Sequence, residues 1–338
     1  MRYTYQGRVK RLKAFVIESG ELKVKDMEEP KAKQGEVVVA LRAAGLNRRD
    51  LGLLKRYGDK PEALIIGSDG AGVIESVGEG VAGFAAGDEV IINPALRWND
   101  NSDAPPAGFD ILGMPDHGTF AEKIALSAEQ VEKKPGHLSW EEAGSLALAG
   151  LTGYRALFTK GEIEASDTLF IPGAGSGVAT YLIQYAKNIG ARVIVTSRSE
   201  EKREHALELG ADRAIDSESN WQQELAEETI DLVIDSVGRA TFNRSLDVLK
   251  LGGRIVIFGA TTEDSVDFNL RKFFYGQYQL FGSTMGSREE LRDMLVHIEK
   301  YGMHPIVDCV FKLEDAQQAF DYLAEGKQFG KVVLQINS

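Results

Sequence analysis

A glycine-rich turn between an apolar run and a helix-like pattern is the segment of this 338-residue chain whose residue types best suit ligand chemistry. The turn follows the apolar run 168–171 and contains, in order, Gly173, Gly175, Ser176, Gly177 and Val178. Glycines let a backbone approach a phosphate closely, and the start of a helix offers free N–H groups and a partial positive charge. The spacing departs from G-x-G-x-x-G because Val178 occupies the position of the third glycine, and Gly177 comes one residue early. The strand–turn–helix context predicts a pyrophosphate site, against the alternative of a glycine-rich turn without a ligand.

The end of the next apolar strand carries the residues that would choose between two dinucleotides. A free ribose 2′-hydroxyl is usually held by Asp or Glu about 20 residues after the glycines. This chain instead has Ser197 and Arg198, with Lys202 one helical turn further. A hydroxyl and a guanidinium suit a 2′-phosphate. We therefore predict NADP as the cofactor, the alternative being that Arg198 is a solvated loop charge.

The elements that must position this turn alternate between apolar runs of strand length and helix-like spacings of roughly ten residues. Over 137–286 the alternation predicts a doubly wound parallel sheet with helices on both faces. Residues 1–136 contain short strand-like runs between Gly and Asp turns, which predict a compact β barrel or sandwich after a polar arm at 1–12. Residues 287–338 add a helix, a strand, a helix and a strand outside the alternation, and we expect them to return to the first domain.

Composition excludes several classes of protein. Lys and Arg number 39 against 51 Asp and Glu, and the resulting net charge of −12 argues against a nucleic-acid partner. No apolar stretch approaches the roughly 20 residues that span a bilayer, so no membrane partner is expected. The single Cys309 excludes a disulfide framework and a cysteine-rich zinc module. It suits a reducing compartment, and we predict a cytoplasmic protein.

Several motifs occur in an order that resembles a known family. They read AGLNRRD at 44–50, GSDGAGVIESVG at 67–78, GDEV at 87–90, LTGY at 151–154, GAGSGVA at 173–179, LGAD at 209–212 and DLVIDSVG at 231–238. This order resembles the medium-chain dehydrogenase/reductase superfamily, and in particular its zinc-independent branch near the quinone oxidoreductases and enone reductases. The resemblance implies an α/β protein with a GroES-like β-barrel catalytic domain and a Rossmann-type parallel-sheet domain that binds NADP.

The resemblance also implies that no metal is bound. Zinc-dependent members hold their catalytic ion with a Cys, a His and a Cys, and the matching positions here are Asn47, Ser68 and Leu148. The polar segment 94–116, which matches the structural-zinc lobe, contains no Cys and is therefore either an open loop or held by other contacts. Without a Lewis acid, hydride transfer to a quinone or an α,β-unsaturated carbonyl is easier than alcohol oxidation.

Residue by residue, the resemblance implies that Asn47 faces the substrate and that Tyr57 is the nearest phenol that could donate a proton. Asp69 matches a glutamate beside the metal, while Arg48 and Arg49 are expected to pair with Asp50. Thr152 and Val178 should lie near the nicotinamide. Further cofactor contacts are expected at two strand ends and in the C-terminal segment: Phe258, Gly259, Ala260, Ser283, Thr284, Met285 and Lys331. The alternative for Lys331 is a lysine that protects a strand edge.

Two other functions stay open at this point. One is a zinc-free alcohol dehydrogenase, and the other is an NADPH-binding redox sensor or structural protein with little turnover. The expected small-molecule partner is a carbonyl or quinone compound. Family resemblance implies a homodimer or homotetramer, with the apolar run 278–283 pairing with its copy at a sheet edge.

Overall fold

The N-terminal part of the chain forms short strands because its apolar residues come in brief runs bounded by Gly and Asp turns. The structure, a computed structural model, describes residues 10–337. Residues 1–9 of the arm predicted at 1–12 lie outside that range. For Arg11 and Leu12 the prediction of an arm is wrong, because these residues begin the first strand. The strands and the helix of this part are β1 (Arg11–Glu18), β2 (Glu21–Glu28), β3 (Glu36–Gly45), α1 (Leu53–Tyr57), β4 (Leu64–Ile65), β5 (Ala71–Val77), β6 (Glu89–Ile92), β7 (Ala95–Leu96), β8 (Asp110–Ile111), β9 (Lys123–Ser127) and β10 (Val131–Lys133), with short 3₁₀ helices at Arg48–Gly52 and Ala128–Gln130.

The middle of the chain alternates strands with helices. These elements are α2 (Trp140–Gly144), α3 (Ala147–Tyr154) with a π-helical extension (Arg155–Lys160), β11 (Thr168–Ile171), α4 (Gly177–Asn188), β12 (Arg192–Ser197), α5 (Glu200–Glu208), β13 (Arg213–Asp216), α6 (Trp221–Glu224), β14 (Ile230–Asp235), α7 (Arg239–Val248), β15 (Leu249–Ile257), α8 (Leu270–Tyr275) and β16 (Gln279–Gly282). Six strands pair in parallel in the order β13-β12-β11-β14-β15-β16. All residues of β11 and β14 are buried, as expected of a parallel sheet covered on both faces. The predicted doubly wound sheet is confirmed.

The C-terminal segment connects the two parts. It contains α9 (Arg288–Tyr301), β17 (Val307–Lys312), a 3₁₀ turn (Leu313–Asp315), α10 (Ala316–Glu325) and β18 (Lys331–Gln335). β18 pairs with β3, so the first part has a mixed sheet in the order β10-β6-β5-β3-β18-β17, with β9 also on β3. β1, β2 and β4 form a separate three-stranded sheet. By contrast, α9 packs on α3 and shares its apolar core with α4.

The polar segment 94–116, called here the lobe, is held by polar and aromatic contacts. The buried Arg155 donates from Nη1 to both carboxylate oxygens of Glu290 at 2.8 Å, and from Nη2 to the carbonyl of Ser102 at 2.7 Å. Its guanidinium carbon lies 4.8 Å from the ring centre of Trp98, which is itself buried. The start of α9 completes the attachment, because Arg288 N donates to the Trp98 carbonyl. The sequence left two alternatives for the lobe, an open loop or a segment held by contacts other than zinc. The structure has the second.

Membrane and metal partners each require a recognisable structural feature. Within residues 10–337 no helix is long and apolar enough to cross a bilayer. The same residues contain no group of three or more His, Cys, Asp or Glu side chains arranged to hold a metal ion.

Candidate functional site

The glycine turn lies where the sheet order reverses. The chain runs outward from β11 to β12 and β13, then returns to the other side of β11 with β14, so the carboxyl end of β11 is a topological switch point, where open α/β sheets bind ligands. Gly173 has a φ of +96°, which an L side chain rarely adopts, and its N–H donates to Thr196 Oγ1 at 3.2 Å. Ser176 caps α4 by accepting from Ala179 N at 3.1 Å. The start of a helix, with its N–H groups and partial positive charge, is a setting that suits an anion.

The C-terminal segment contacts this turn directly. Gly330 N donates to the carbonyl of Gly175 at 3.2 Å. A methyl group added at Gly177 would lie 2.7 Å from Cδ of Lys331, so the lysine stem lies against the glycine backbone. The first residue of β18 therefore reaches from the sheet of the first part to the glycine turn of the second.

The amino group of Lys331 is buried in a polar cluster. It donates to the carbonyl of Leu46 at 2.8 Å and to Asn47 Oδ1 at 2.6 Å, and lies 3.2 Å from Asp69 Oδ2. Asn47 Nδ2 donates to the same carboxylate oxygen at 3.0 Å. Lys331 is 3% exposed and Asp69 is fully buried, so each charge depends on the other for compensation. The strand-edge alternative for Lys331 is wrong, because β18 lies between β3 and β17.

Asp69 extends the cluster to the helices of the second part. Its Oδ1 accepts from the backbone N–H of Leu148 at 2.6 Å, and the Leu148 carbonyl accepts from Thr152 Oγ1 at 2.7 Å. The Thr119 hydroxyl donates to the Asp69 carbonyl at 2.6 Å. One carboxylate thus links the residue predicted to face the substrate with α3, the helix predicted to lie near the nicotinamide. The pairing of Asp69 with Lys331, 262 residues apart, leaves no signal in local sequence.

The three positions that match zinc ligands do not fit a zinc ion. They supply an amide, a hydroxyl and an alkyl side chain, whereas zinc prefers thiolate, imidazole or carboxylate. The oxygen of Asn47 already accepts from Lys331, and Ser68 Oγ donates to the Leu112 carbonyl at 2.8 Å. A buried ammonium next to these groups would also repel a divalent cation. The side chains form a hydrogen-bonded network instead of a ligand set.

Arg49 forms the ion pair with Asp50 that the sequence leads us to expect, but its hydrogen bonds go to other residues. The Asp50 carboxylate is buried, which raises its pKa to about 6, and Oδ2 accepts from Asn47 N at 2.8 Å. Nη1 of Arg49 lies 3.8 Å from Asp50, too far for a hydrogen bond. It donates instead to Ser68 Oγ at 2.6 Å and to the Leu112 carbonyl at 3.1 Å. This placement was not predicted, although Arg49 lies in the AGLNRRD motif and Ser68 in the GSDGAGVIESVG motif.

Tyr57 does not hydrogen-bond to the polar cluster. Its hydroxyl donates to the carbonyl of Glu62 at 3.0 Å, and the ammonium of Lys60 lies 5.0 Å from its ring centre. Desolvation, with a contribution from the Glu62 carboxylate, raises the pKa of this phenol. The structure therefore brings together Asn47 and Lys331, but leaves the hydroxyl of Tyr57 engaged elsewhere.

The residues predicted to select the dinucleotide lie at the end of β12. Ser197 Oγ accepts from Ser199 N at 3.2 Å. Arg198 is exposed and makes no hydrogen bond or ion pair to any residue that the structure describes. Lys202 donates to the Gly326 carbonyl at 2.7 Å. A methyl group at Gly175 would lie 3.1 Å from the Lys202 ammonium, which places this charge over the glycine turn.

The other predicted cofactor residues follow the carboxyl ends of β15 and β16. Phe258 N donates to the Asp235 carbonyl at 3.3 Å, and Ser283 N donates to the Ile257 carbonyl at 2.8 Å. The Met285 side chain is buried in a cluster with Trp98 and does not line an open site. Gly259, Ala260 and Thr284 lie at the same edge as Gly173, and half-buried Val178 lies in the first turn of α4.

Comparison with known proteins gives full-length matches. Residues 33–136 match the alcohol dehydrogenase GroES-like domain, and residues 177–300 match the zinc-binding dehydrogenase family. A zinc-type alcohol dehydrogenase-like protein of Schizosaccharomyces pombe is 35% identical over 333 residues, covering 94% of this chain and 96% of the relative. An acryloyl-coenzyme A reductase of Metallosphaera sedula is 30% identical over 338 residues, covering 96% and 99%. The solved structure of an NAD-dependent alcohol dehydrogenase superposes with a TM-score of 0.91 at 36% identity, covering 96% of this chain and all of that one. The predicted resemblance is confirmed, and the chain belongs to the medium-chain dehydrogenase/reductase superfamily of oxidoreductases.

Proposed function

We propose that this oxidoreductase is an NADPH-dependent, zinc-free reductase of α,β-unsaturated carbonyl compounds or quinones. The observation that carries the proposal is the buried network of Lys331, Asn47 and Asp69, in which Asn47 stands at a position that matches a zinc ligand of related enzymes. The nicotinamide, when bound, supplies a hydride. The chain's own residues must then hold the substrate, exclude competing water and stabilise the charge that develops on oxygen.

The donor set favours reduction of a conjugated bond over oxidation of an alcohol. An alcohol must lose its proton before hydride leaves, and a Lewis-acidic metal makes that loss easy. An enone or quinone needs only hydrogen-bond donors near its oxygen, and this site offers charged N–H groups of that kind. The name of the Metallosphaera sedula relative, an acryloyl-coenzyme A reductase, supports a conjugated acyl acceptor.

The proposed roles of the residues follow from their positions. Gly173, Gly175, Ser176 and Gly177 would hold the pyrophosphate at the start of α4, with Lys202 over the turn and the Lys331 stem beside it. Thr152 and Val178 would contact the nicotinamide. Asn47, both of whose amide atoms are hydrogen-bonded, would fix the floor of the substrate site. Tyr57 would donate a proton only after releasing Glu62, so we assign the final protonation to solvent.

We propose NADPH as the cofactor because Arg198 is exposed and unpaired among the described residues, next to the Ser197 hydroxyl. A guanidinium in that position can bind a 2′-phosphate through two N–H donors. NADH is the competing choice, since the structure with a TM-score of 0.91 carries the name of an NAD-dependent enzyme. We also propose a cytoplasmic location, from the single cysteine, and a homodimer that pairs through β16.

The direct test uses NADPH that carries deuterium at the transferable position of the nicotinamide. The purified chain is incubated with a panel of enones, enoyl thioesters and quinones, and the products are analysed by mass spectrometry. We expect deuterium at the β-carbon of the reduced enone. Deuterium transfer only to simple aldehydes, which yields alcohols, would favour the alcohol dehydrogenase alternative. NADPH binding without transfer to any acceptor would favour a sensor or structural role.

A further inference from the structure

Arg49 carries hydrogen-bond donors that the described structure does not use. It lies on the 3₁₀ helix after β3, and its side chain is 17% exposed. Both of its hydrogen bonds to described residues, to Ser68 Oγ and the Leu112 carbonyl, are made by Nη1. A guanidinium has five N–H donors. Nε and Nη2 therefore retain unpaired donors on a largely buried cation.

The position of this guanidinium links it to the polar cluster. Ser68, to which it donates, directly precedes Asp69, the partner of Lys331. Two cations thus contact consecutive residues of one short segment after β4. The ammonium of Lys331 has three close acceptors, whereas Arg49 has a long ion pair with Asp50, at 3.8 Å, and no hydrogen bond to a carboxylate of residues 10–337. Of the two cations, Arg49 is the one with capacity to bind another oxygen.

We propose that the free N–H donors of Arg49 bind the carbonyl oxygen of the α,β-unsaturated substrate and stabilise the enolate formed during reduction. This inference rests on the proposed function and deepens it by naming the group that replaces the Lewis acid. Charge-assisted hydrogen bonds from a guanidinium are strong in a site of low polarity, and they strengthen as the oxygen becomes an anion. Arg49 would then be a catalytic residue, since it touches the reacting group.

The step balances without a further reagent. The hydride, with its electron pair, forms a C–H bond at the β-carbon of the enone. The π electrons of the C=C bond move to form a new C=C bond to the carbonyl carbon, and the carbonyl π pair becomes the negative charge on oxygen, next to Arg49. The enolate then takes a proton from water at its α-carbon, so one NADPH and one proton are consumed for each C=C bond reduced.

The test compares Arg49→Ala with Arg48→Ala, whose parent side chain is the exposed neighbour on the same 3₁₀ helix. With NADPH and 2-cyclohexen-1-one, we expect Arg49→Ala to lower kcat by about 10²-fold or more, as removal of an oxyanion donor does. The NADPH dissociation constant, measured by fluorescence, should stay unchanged. Guanidinium chloride at non-denaturing concentration should restore part of the lost rate, which a purely structural role for Arg49 would not allow. Arg48→Ala should keep the parent rate.

A spectroscopic measurement tests binding of the carbonyl group by Arg49 without any turnover. Cinnamaldehyde in the complex with NADP⁺ should absorb at longer wavelength than in water, because a bound cation polarises its carbonyl group. The shift should persist in Arg48→Ala and vanish in Arg49→Ala. If Arg49→Ala does not fold, Arg49→Lys should retain part of the shift and part of the rate, while Arg49→Gln should retain little.

Two results would overturn the role of Arg49. One is a rate for Arg49→Ala within about threefold of the parent, which is under 1 kcal/mol by the usual conversion. The other is a loss of rate with an unchanged cinnamaldehyde shift and no response to guanidinium. Either result leaves the proposed function standing if the parent still transfers deuterium to the β-carbon, whereas absence of that transfer in the parent rejects the proposed function itself.

Discussion

At the scale of single residues, the pair of Lys331 and Asp69 defines the site. Both side chains are almost inaccessible, at 3% and 0% exposure, so neither charge is compensated by water. The carboxylate is also held by Asn47 Nδ2 and by the backbone N–H of Leu148. A buried pair with this many hydrogen bonds is expensive to break on one side, because the remaining charge stays buried and unpaired.

Replacing Lys331 with methionine tests this directly. We expect the free energy of unfolding of Lys331→Met to fall by about 3–5 kcal/mol, the usual cost of removing one partner of a buried ion pair. The measurement is the urea midpoint at neutral pH. Lys327→Met is the matched control, since Lys327 is 69% exposed in its ion pair with Glu325, and its midpoint should not move. A Lys331→Met midpoint equal to that of the control would contradict the assigned pairing.

Arg198 tests the cofactor proposal at the same scale. We expect Arg198→Ala to weaken NADPH binding by about tenfold or more, the loss expected for hydrogen bonds to a charged group, and to leave NADH binding unchanged. Isothermal titration with each dinucleotide measures both. Arg271→Ala, at an exposed arginine on α8, serves as control and should change neither. Equal weakening of NADPH and NADH would show that Arg198 does not contact the 2′-phosphate.

At the scale of elements, the lobe is attached through helix termini and one buried guanidinium. Arg155 lies in the π-helical extension of α3. Glu290 lies in the first turn of α9, where the helix dipole also stabilises a negative charge. Thr159 donates to the same carboxylate at 2.6 Å. The π-helical extension of α3 and the start of α9 therefore meet at one carboxylate, and Arg155 joins them to the lobe through the Ser102 carbonyl.

Loss of the Arg155 guanidinium should release the lobe. We expect Arg155→Met to increase hydrogen exchange of backbone amides in 99–105 by at least tenfold, with little change in β11 and β12. The reason is that the Ser102 carbonyl loses its donor at 2.7 Å and the Asp103 carbonyl loses the longer of two hydrogen bonds, at 3.3 Å. Lys160→Met is the control, because within residues 10–337 the partly exposed Lys160 donates to the Asp103 carbonyl alone. Unchanged exchange in Arg155→Met would mean that the aromatic contacts of Trp98 suffice to hold the lobe.

Most elements follow from sequence periodicity, and the exceptions have physical reasons. The buried strands of the parallel sheet are predicted because burial on both faces leaves an uninterrupted apolar run. β2, ELKVKDME, is missed because it is polar on both sides and pairs only with β1. The helix-like spacing from 139 to about 160 predicts one helix, whereas the structure ends α2 at Gly144 and starts α3 at Ala147.

The site is predictable to the extent that its residues lie in local motifs. The glycine turn has its predicted strand–turn–helix setting because residues adjacent in the chain determine that geometry. Asn47 is buried and is linked to α3 through the Asp69 carboxylate. The partner of Lys331 could not be predicted, since it depends on β18 pairing with β3 across nearly the whole chain. The direction of Arg49 could not be predicted either, because Leu112, which receives its hydrogen bond, belongs to the lobe.

At the scale of the whole molecule, one edge of the parallel sheet is unusually apolar. β16 is the last strand of that sheet, and nearby α8 exposes several large side chains. The exposed residues in this region are Leu251, Leu270, Phe274, Tyr275 and Leu280. An exposed apolar edge strand favours pairing with another strand, and a second copy of the chain would extend the sheet across a twofold axis. This supports the proposed homodimer.

A charge on β16 should disrupt that assembly. We expect the parent chain to sediment as a dimer and Leu280→Lys to sediment as a monomer at the same concentration, because a buried lysine would face its copy across the axis. Leu207→Lys on α5 is closely matched, since Leu207 is 44% exposed and Leu280 is 42% exposed. Leu207→Lys should leave the dimer intact. A parent monomer, or a dimer in both variants, would reject pairing through β16.

The central claim is that the chain reduces conjugated acceptors without zinc, and one measurement tests it most directly. The protein is treated with EDTA, its zinc content is determined by mass spectrometry, and NADPH oxidation is followed with an enone and with a simple ketone. We expect the same enone rate before and after treatment, no gain on adding zinc, and a much slower reaction with the ketone. A rate that disappears with EDTA and returns with zinc would contradict the central claim.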